Sequence, residues 1–477
     1  MAVFGGMSPS CFMRWCAGLA ISISLFSGAV AIFGASGGAE LDPGFNANIF
    51  IGGREGYFNH GVRTMALQAD GKILIGGNFT NVNGAVRHSL ARLNADGTLD
   101  ETFAPTGTTN DFVRSIVVQA DGKILFTGGA QPLTGSHQTT VVRLHGDGSR
   151  DAEFHVPACW GVSQILLGRD GMIYICGTFG SVDELPRRYL ARLHPNGVLD
   201  ESYAPPVVGH PSTEGGMVHI AQQADSKILL AGMFSTTNGG GIFERFNMDG
   251  SEDASFRGSG VYFCSGLQVL PGGQILHVAS TQFNSEYAVL RVFDSSGNRV
   301  ASFEDRNQIP GHLEATLLQP DGKIIFGGQF INSTINYGKH LARINPDGSL
   351  DRSFDVGSGF ALAPGSKDYQ VYANALAFQP DGKILVGGQF HRYDGQPRTN
   401  LVRLMGQRVF ARQIEMGAGG ALVLRWEILG SRETWKVQST EDLLSWTTVK
   451  EKVDGGLVEL QETAKSGVKF FRVVPEE

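Results

Sequence analysis

The side chains best suited to chemistry in this 477-residue chain are histidines, tyrosines and arginines in its irregular polar segments. Imidazole transfers protons or binds metals near neutral pH, and tyrosine and arginine offer flat faces with hydrogen-bonding groups to a polar ligand. The candidate ligand-binding residues are His60, Arg188, His340, Tyr372, His391 and Tyr393. This set predicts binding of an extracellular glycan, peptide or protein, and we assign no catalytic residue and no metal ligand.

Histidines are concentrated in those irregular segments, which hold nine of the twelve in the chain. Loops on a rigid scaffold are where binding residues usually lie, but loops also tolerate histidine without any functional reason. Both interpretations stay open at the level of sequence. His60, Tyr372 and His391 are the preferred probes, because closure of the repeats into a ring would bring their segments together.

An extracellular hydrolase or lyase acting on polysaccharide is the alternative function. Such an enzyme needs two facing carboxylates or a His and Tyr pair. Acidic residues in the irregular segments are Glu55, Asp111, Glu214, Asp305 and Asp368, and the sequence does not pair them. The chain also has no His-Glu-x-x-His, Cys-x-x-Cys or phosphate-loop motif. The sequence therefore favours a protein without catalysis and leaves the question open.

No cofactor and no nucleic acid partner are expected. Residues 94–100 offer oxygen ligands for structural calcium, but they lack the alternating aspartates and the closing glutamate of a calcium loop. A hairpin turn accounts for these residues instead. The formal charge is −7, and no cluster of lysines and arginines forms the basic patch of a nucleic-acid-binding protein.

The elements that must position the candidate residues are repeats. A turn of the Asp-Gly-Lys type recurs at residues 70, 121, 170, 225, 272, 321 and 381, at spacings of 47 to 60 residues. In the first copy, residues 62–68 and 72–79 are predicted to pair as strands, with residues 90–94 as a third strand and residues 99–103 as a short fourth. Such units indicate the blades of a propeller, since none of them contains the uninterrupted helical pattern of a helical solenoid.

Three side chains repeat with the predicted strands. An arginine marks the third strand, and an aspartate and an aromatic residue mark the fourth, as in Arg92, Asp100 and Phe103. Antiparallel strands joined by a short turn put such charges within pairing distance. We expect structural ion pairs and core aromatics at these positions. The fifth repeat, with Gly272 in the turn and Val300 in place of the aspartate, is predicted to be the most divergent blade.

The ends of the repeat region predict that it closes into a ring. The seventh unit ends at Leu404 without a fourth strand, and residues 41–45, before the first unit, have the missing Leu-Asp-x-x-Phe pattern. Pairing of these two segments would leave no exposed sheet edge. The sequence therefore predicts an all-β chain with a seven-bladed β-propeller over residues 40–406, closed by an N-terminal strand.

Residues 1–39 have the three parts of a secretory signal peptide. Arg14 precedes an apolar run that ends at Phe33, and small residues follow up to Ala39. A retained transmembrane anchor is the alternative. We expect cleavage near Ala39, no stable membrane anchor afterwards, and a monomer that is secreted, periplasmic or on the cell surface of a bacterium.

Three cysteines follow the leader, namely Cys159, Cys176 and Cys264. They allow at most one bridge and form no disulfide framework, so buried free thiols are favoured.

Residues 407–477 have a different pattern from the repeats. Short predicted strands alternate with glycine and charged turns, which indicates a small C-terminal β-sandwich of the immunoglobulin or fibronectin type. Trp426, Trp435 and Trp446 are its predicted core residues, with an exposed carbohydrate site as the alternative.

Two stretches of the first repeat carry a family resemblance. Residues 68–79 read QADGKILIGGNF and residues 90–103 read LARLNADGTLDETF. Together they resemble the delta-60 repeat, a β-propeller repeat of secreted bacterial proteins, and the pattern recurs at residues 319–354 and 379–390. Residues 435–446 and 470–473 are similar to a small C-terminal β-module of exported proteins of the Verrucomicrobia and Planctomycetes type. The resemblance implies fold and export, and it implies no catalytic residue.

Overall fold

Strands make up almost all of the regular structure in the described part of the chain, the exception being one 3-10 turn at Pro271–Gly273. The predicted all-β class is therefore confirmed. The computed structural model describes residues 21–24, 30–32, 39–51, 61–105, 112–128, 140–206, 218–232, 242–258, 263–280, 287–300, 308–329, 340–364, 370–406 and the strands after residue 408.

Seven antiparallel sheets, which we number 1 to 7, follow one another between residues 61 and 404. Their first strands are Gly61–Leu67, Ile116–Val118, Val162–Leu167, Val218–Gln222, Phe263–Val269, His312–Leu318 and Tyr372–Phe378. Their second strands are Ile73–Asn78, Ile124–Gly128, Ile173–Gly177, Ile228–Gly232, Ile275–Ser280, Ile324–Gln329 and Ile384–Gln389. Their third strands are Leu90–Leu93, Thr140–Leu144, Leu190–Leu193, Ile242–Phe246, Tyr287–Phe293, Leu341–Ile344 and Leu401–Leu404.

Short strands form small additional pairings beside these sheets. Gln308–Pro310 joins sheet 5 as a fourth member. Three separate ribbons consist of Ile49–Phe50 with Asn81–Val82 and Ala85–Val86, of Ser181–Val182 with Leu185–Pro186, and of Phe360–Ala361 with Arg392–Tyr393 and Gln396–Pro397. Each ribbon includes the link between the second and third strands of its sheet.

The turn between the first two strands follows from its Asp and Gly residues. Gly71 has a φ of +83°, a conformation that glycine adopts without steric cost. The Asp70 carboxylate accepts a hydrogen bond from the Lys72 backbone N–H at 3.1 Å, and the Gln68 N–H donates to the Lys72 carbonyl at 2.9 Å. This closed loop sets the register that buries Ile73 and the residues after it.

The fourth strand predicted for each unit is reduced to a single bridge. Leu99 pairs with Leu93, and the Asp100 carboxylate then accepts hydrogen bonds from the Thr102 N–H at 3.0 Å and hydroxyl at 2.6 Å. This side-chain turn takes the chain out of the sheet after one pairing. Equivalent bridges join Leu144 to Arg150, Leu193 to Leu199, Phe246 to Glu252, Phe293 to Arg299 and Ile344 to Leu350.

The corresponding bridge of sheet 7 comes from the other end of the repeat region. Leu404 pairs with Leu41, and the Asp42 N–H donates to the Arg403 carbonyl at 2.8 Å. First strands of consecutive sheets contact each other, and the first strand of sheet 7 contacts that of sheet 1. Val62 of sheet 1 and Leu385 of sheet 7 accordingly belong to one buried apolar cluster.

An arginine of the third strand links each sheet to its surroundings. In sheet 1, Arg92 Nε lies 2.7 Å from Asp100 Oδ2, and Lys72 Nζ lies 2.8 Å from the same oxygen. The Arg92 guanidinium stacks 4.7 Å above the ring centroid of Phe103 and donates to the carbonyl of Gly146 in sheet 2. One side chain therefore fixes its own sheet and the next.

The same arrangement recurs along the repeat region. Arg143, Arg192, Arg245, Arg343 and Arg403 pair with Asp151, Asp200, Asp253, Asp351 and Asp42. Bonds to a neighbouring sheet run from Arg143 to Pro195, from Arg192 to Met248, from Arg245 to Ser295 and from Arg403 to Ala95. The last of these bonds joins sheet 7 to sheet 1.

Two further sheets lie outside the repeats. One contains Val409–Met416, Ala421–Ile428 and Gly456–Thr463. The other contains, in spatial order, Val30–Ile32, Ile21–Ser24, Val468–Pro475, Trp435–Thr440 and Thr447–Val453. Strands from the leader and from the C-terminal segment thus share one sheet. The side chains of the three predicted core tryptophans lie outside the described residues.

Ala39 is packed into the repeat region. It is 2% exposed and belongs to the same apolar cluster as Phe360 and Phe390. Its N–H donates to the Asp355 carbonyl at 3.1 Å, and its carbonyl accepts a hydrogen bond from the Tyr393 hydroxyl. A cleavage after Ala39 would remove all of these contacts.

The three cysteines that follow the leader are free and buried, as predicted. Burial raises the pKa of the Cys159 and Cys264 thiols to about 12. Both thiols are therefore protonated at neutral pH and unreactive.

Replacing Asp42 tests the contribution of the closing contact. Asp42→Ala removes the shared partner of Arg403 and Lys383, which lie 2.8 and 3.0 Å from its carboxylate. Because the buried guanidinium then lacks a counter-ion, we expect the free energy of unfolding to fall by about 3 kcal/mol, measured by urea unfolding followed by circular dichroism. The control Asp70→Ala removes an exposed turn contact and should cost about 1 kcal/mol or less. Equal urea midpoints for the parent and Asp42→Ala would contradict the prediction.

The same carboxylates predict acid sensitivity. Burial alone would raise the pKa of Asp151, but hydrogen bonds from Lys123, the Glu153 backbone and Arg143 outweigh it and lower the pKa to about 2. Such a group contributes its full stability above the unfolded value of about 3.9 and loses it as pH falls to the folded value. We expect the urea midpoint to be constant above about pH 5 and to fall between about pH 4 and pH 2. The fall should be shallower in Asp151→Asn, and an identical slope in both proteins would rule out this carboxyl as a contributor.

Candidate functional site

A cavity of about 620 Å³ lies where the first strands of all seven sheets meet. Its lining includes Arg63 to Met65, Arg114 and Ser115, Ser163 and Gln164, Val218 and His219, Ser265 to Leu267, Glu314 to Thr316, and Asn374 to Leu376. These residues lie near the start of each first strand, away from the Asp-Gly-Lys turns. The cavity is therefore central to the seven sheets and lies towards the links that differ from one repeat to the next.

A β-bulge supplies one cavity-lining residue in most of the sheets. In sheet 1 the pairing shifts between Val62 and Thr64, which leaves Arg63 as the extra residue. In sheet 2 the backbone N–H groups of Arg114 and Ser115 both donate to Thr127 Oγ1, at 2.9 and 3.0 Å, which places Arg114 at the equivalent position. In sheets 3, 5, 6 and 7 the same shift in pairing makes Ser163, Ser265, Glu314 and Asn374 the extra residues of the first strand.

We call these six extra residues the bulge ring: Arg63, Arg114, Ser163, Ser265, Glu314 and Asn374. Sheet 4 differs, because Val218 pairs with Gly232 and His219 with Ala231 without any shift. His219 lines the cavity in that sector. The seven sectors therefore share a backbone plan and differ in chemistry.

Glycine in the second strand makes the bulge sterically feasible. A Cβ at Gly77 would lie 2.0 Å from the Gly61 carbonyl oxygen, and a Cβ at Gly328 would lie 2.0 Å from that of His312. A side chain at either position would push the two strands apart. Glycine at the end of the second strand thus accommodates the bulge in these sheets, whereas sheet 5 forms its bulge opposite Ala279.

Arg63 and Arg114 are two like charges in adjacent sheets. In the described part of the chain, neither guanidinium has an ion-pair partner or a side-chain hydrogen bond. Desolvation by the surrounding protein lowers the pKa of Arg114, and the positive charge of the nearby Arg63 guanidinium lowers it further. The Arg114 side chain nevertheless keeps contact with solvent through the cavity.

Glu314 and His219 are the other titratable groups of the lining. Burial raises the pKa of the Glu314 carboxyl, and the charges of Arg63 and His312 oppose that rise. Burial lowers the pKa of His219 to about 4, so the imidazole is neutral at pH 7. Its Nε2 is buried and has no hydrogen-bond partner within the described ranges.

Neutral polar side chains complete the lining, and they fall into two groups. The Gln164 amide connects sheet 3 to sheet 4 by two hydrogen bonds. It donates to the Ile220 carbonyl at 3.1 Å and accepts from the Ile220 N–H at 2.9 Å. The hydroxyls of Thr64, Ser265 and Thr316 make no hydrogen bond to another described residue. These three hydroxyls are therefore available to a ligand.

Of the residues proposed from sequence, Tyr372 lies beside the cavity. It begins the first strand of sheet 7 and is 9% exposed. Burial and the Glu314 carboxyl raise its pKa, and Arg63 opposes that rise. Its hydroxyl donates to Gln370 Oε1.

The other proposed residues are distributed over three sheets. Tyr393 is 1% exposed, with its ring centroid 4.8 Å from that of Phe360, so it belongs to the core of sheet 7. His391 Nδ1 accepts a hydrogen bond from the Ala363 N–H at 3.1 Å. Arg188 is exposed before the third strand of sheet 3, and His340 precedes that of sheet 6.

Several candidates lie outside the described residues. These are His60 and the acidic residues Glu55, Asp111, Glu214, Asp305 and Asp368. The bulge ring was not proposed from sequence. The Gly-Gly pairs of sheets 1, 6 and 7 are a signal from which three of its positions could have been found.

The described residues contain neither a metal-binding cluster nor a membrane-spanning helix. No group of three or more His, Cys, Asp or Glu side chains could hold a metal ion there. No described helix has the length and apolarity needed to cross a membrane.

Three solved structures illustrate what the fold resembles. Virginiamycin B lyase from Staphylococcus aureus is 14% identical and aligns over 75% of this chain and 98% of its own, with a TM-score of 0.43. Regucalcin, a calcium-binding protein from Agrobacterium tumefaciens, is 15% identical over 64% and 91%, with a TM-score of 0.37. A gluconolactonase from Xanthomonas campestris is 17% identical over 56% and 83%, with a TM-score of 0.35. Their functions differ from one another.

A family model described as "Domain of unknown function (DUF5122) beta-propeller" matches the chain repeatedly. The matches cover residues 68–103, 119–154, 168–203, 223–256, 319–354 and 379–406. They fall in sheets 1 to 4, 6 and 7, which leaves out the divergent sheet 5. Comparison with curated proteins gives no match. The repeated matches identify this chain as a β-propeller repeat protein.

Proposed function

We propose that this protein is an exported, non-catalytic binding propeller of seven blades with a C-terminal β-sandwich, and that it binds a glycan, peptide or protein through the central cavity. The observation that carries the proposal is the bulge ring. It places polar and charged side chains around one cavity, and the described fold gives several of them no structural partner. Groups that the fold leaves free are available to a ligand.

The size and rigidity of the cavity support binding. A volume of about 620 Å³ lies within the range of small-molecule and oligosaccharide sites. The first strands that carry the lining residues pair with the second strands of their sheets and pack against the first strands of the neighbouring sheets, so little conformational entropy is lost when a ligand binds. A rigid polar cavity suits recognition of one sugar unit or of a short peptide end.

Catalysis by the same cavity is the second candidate function. A hydrolase or lyase would draw on Glu314 and Tyr372, because the Glu314 carboxyl raises the pKa of the Tyr372 hydroxyl. Hydrolysis by paired carboxylates needs a second acid facing Glu314, and no other described lining residue is acidic. Binding without turnover is therefore the better-supported proposal.

Export is part of the proposal, and Ala39 refines where the leader ends. Because the repeat region buries Ala39, we expect signal peptidase to cut before it, between the apolar run and residue 39. Mass spectrometry of the N-terminal peptide of the secreted protein measures the site. A mature chain that begins after Ala39, or a full-length chain in the cell pellet, would contradict this prediction.

Blocking the cavity tests the site. In Ser265→Trp a bulky ring enters the lining, so we expect glycan-array signals of the full-length protein to fall at least about tenfold. Val198→Trp is the matched control, because Val198 is 42% exposed in a turn between the third strand and the bridge of sheet 3. A reducing-end assay on each bound glycan separates the functions. New ends favour the enzyme, and a signal that survives in Ser265→Trp excludes the cavity.

A further inference from the structure

We propose that Arg63 and Arg114 form a subsite for the carboxylate of an acidic sugar unit, such as a uronic acid. This inference rests on the proposed binding function and names the ligand class of the same cavity. The two arginines occupy equivalent bulge positions in sheets 1 and 2, and both line the cavity. The first strands of these sheets contact each other, so the two guanidiniums enter one sector of the lining.

The contrast with other arginines of the same sheets supports the assignment. Arg92 and Arg143 each have an aspartate partner at 2.7 to 2.8 Å, an aromatic ring beneath them and a carbonyl across the sheet boundary. Arg63 and Arg114 form no ion pair with a described residue, and Glu314 acts on Arg63 only through its charge, without a direct contact. Two adjacent cations without a partner repel each other, and a bound anion removes that repulsion.

The chemistry of guanidinium selects the group that binds. Its planar fork matches a carboxylate or a phosphate with two parallel hydrogen bonds. The formal charge of the bulge ring is +1, from Arg63 and Arg114 against Glu314. A single negative charge is balanced by that ring, whereas Glu314 disfavours a dianion such as phosphate.

The remainder of the lining favours a sugar. Thr64 lies next to Arg63, and Ser265 and Thr316 line the same cavity from sheets 5 and 6. Their hydroxyls can donate to and accept from the hydroxyls of a sugar ring. A uronic acid has one carboxylate, which the two arginines can bind, and several hydroxyls, which the threonine and serine hydroxyls can bind.

Titration calorimetry with galacturonate, galactose and inorganic phosphate tests the subsite on the full-length protein. We expect galacturonate to bind at least about tenfold more tightly than galactose, which lacks the charge-assisted hydrogen bonds of a carboxylate. We expect the same margin over inorganic phosphate, because Glu314 disfavours a dianion and phosphate lacks the hydroxyls of a sugar ring. Arg63→Gln and Arg114→Gln should each reduce galacturonate affinity about tenfold and leave galactose affinity unchanged. The matched control Arg352→Gln, which removes an exposed arginine outside the lining, should change neither.

Thermal unfolding without ligand separates a binding role from a structural one. Arg114→Gln removes an unpaired charge, so its melting temperature should equal or exceed that of the parent. Arg143→Gln breaks a buried ion pair and should lower it. A melting temperature that falls equally in both variants would overturn the subsite.

The possible failures are distinguishable. If galacturonate and galactose bind equally and the arginine variants bind as the parent does, the subsite is overturned while cavity binding stands. If phosphate binds as tightly as galacturonate, the sugar assignment is overturned. If no probe binds and Ser265→Trp keeps its array signal, the subsite and the proposed function fall together.

Discussion

Six of the seven sheets of the repeat region contain one arginine that pairs with an aspartate and stacks on an aromatic ring at once. Arg92 pairs with an aspartate, stacks on an aromatic ring and donates to the Gly146 carbonyl of the next sheet. A guanidinium can do so because it is planar and carries five donors in a fixed fork. Arg403 makes the same set of contacts, and its cross-sheet bond to Ala95 joins sheet 7 to sheet 1. The contact between sheet 7 and sheet 1 is thus made by the same kinds of interaction as the contact between sheet 1 and sheet 2.

That closure fixes the geometry of the cavity. Since every first strand packs against the first strands of two neighbouring sheets, the bulge positions cannot move apart or together without disrupting that packing. Binding groups held this way are preorganised, and a ligand need not order them. The same rigidity keeps Arg63 and Arg114 close to each other despite their like charges. An arrangement that costs stability and that the fold does not require is the kind found at binding sites.

The sequence predicts the parts of this structure that depend on repetition. The Arg and Asp pairs follow from the spacing of strands across a turn, and Phe103 follows from its place after the aspartate. The bulge ring does not follow in this way, because a bulge depends on how closely a carbonyl approaches Gly77 in three dimensions. Tyr393 illustrates the same limit. Its place in an irregular segment indicates a surface loop, whereas a short ribbon folds it into the core of sheet 7.

The division between repeated and variable residues also explains how one ring can carry an asymmetric site. At the six bulge positions the residue is Arg, Arg, Ser, Ser, Glu or Asn, while the pairing of the first strand with the second is kept. Sheet 4 omits the extra residue and places His219 in that sector. Each sector can therefore change charge or size without disturbing the arginine links between sheets. The two arginines of the lining lie in sheets 1 and 2 and its carboxyl group lies in sheet 6, so charge is distributed asymmetrically around the cavity although the sheets repeat. A ligand with one acidic end and a neutral polar body is complementary to that charge distribution.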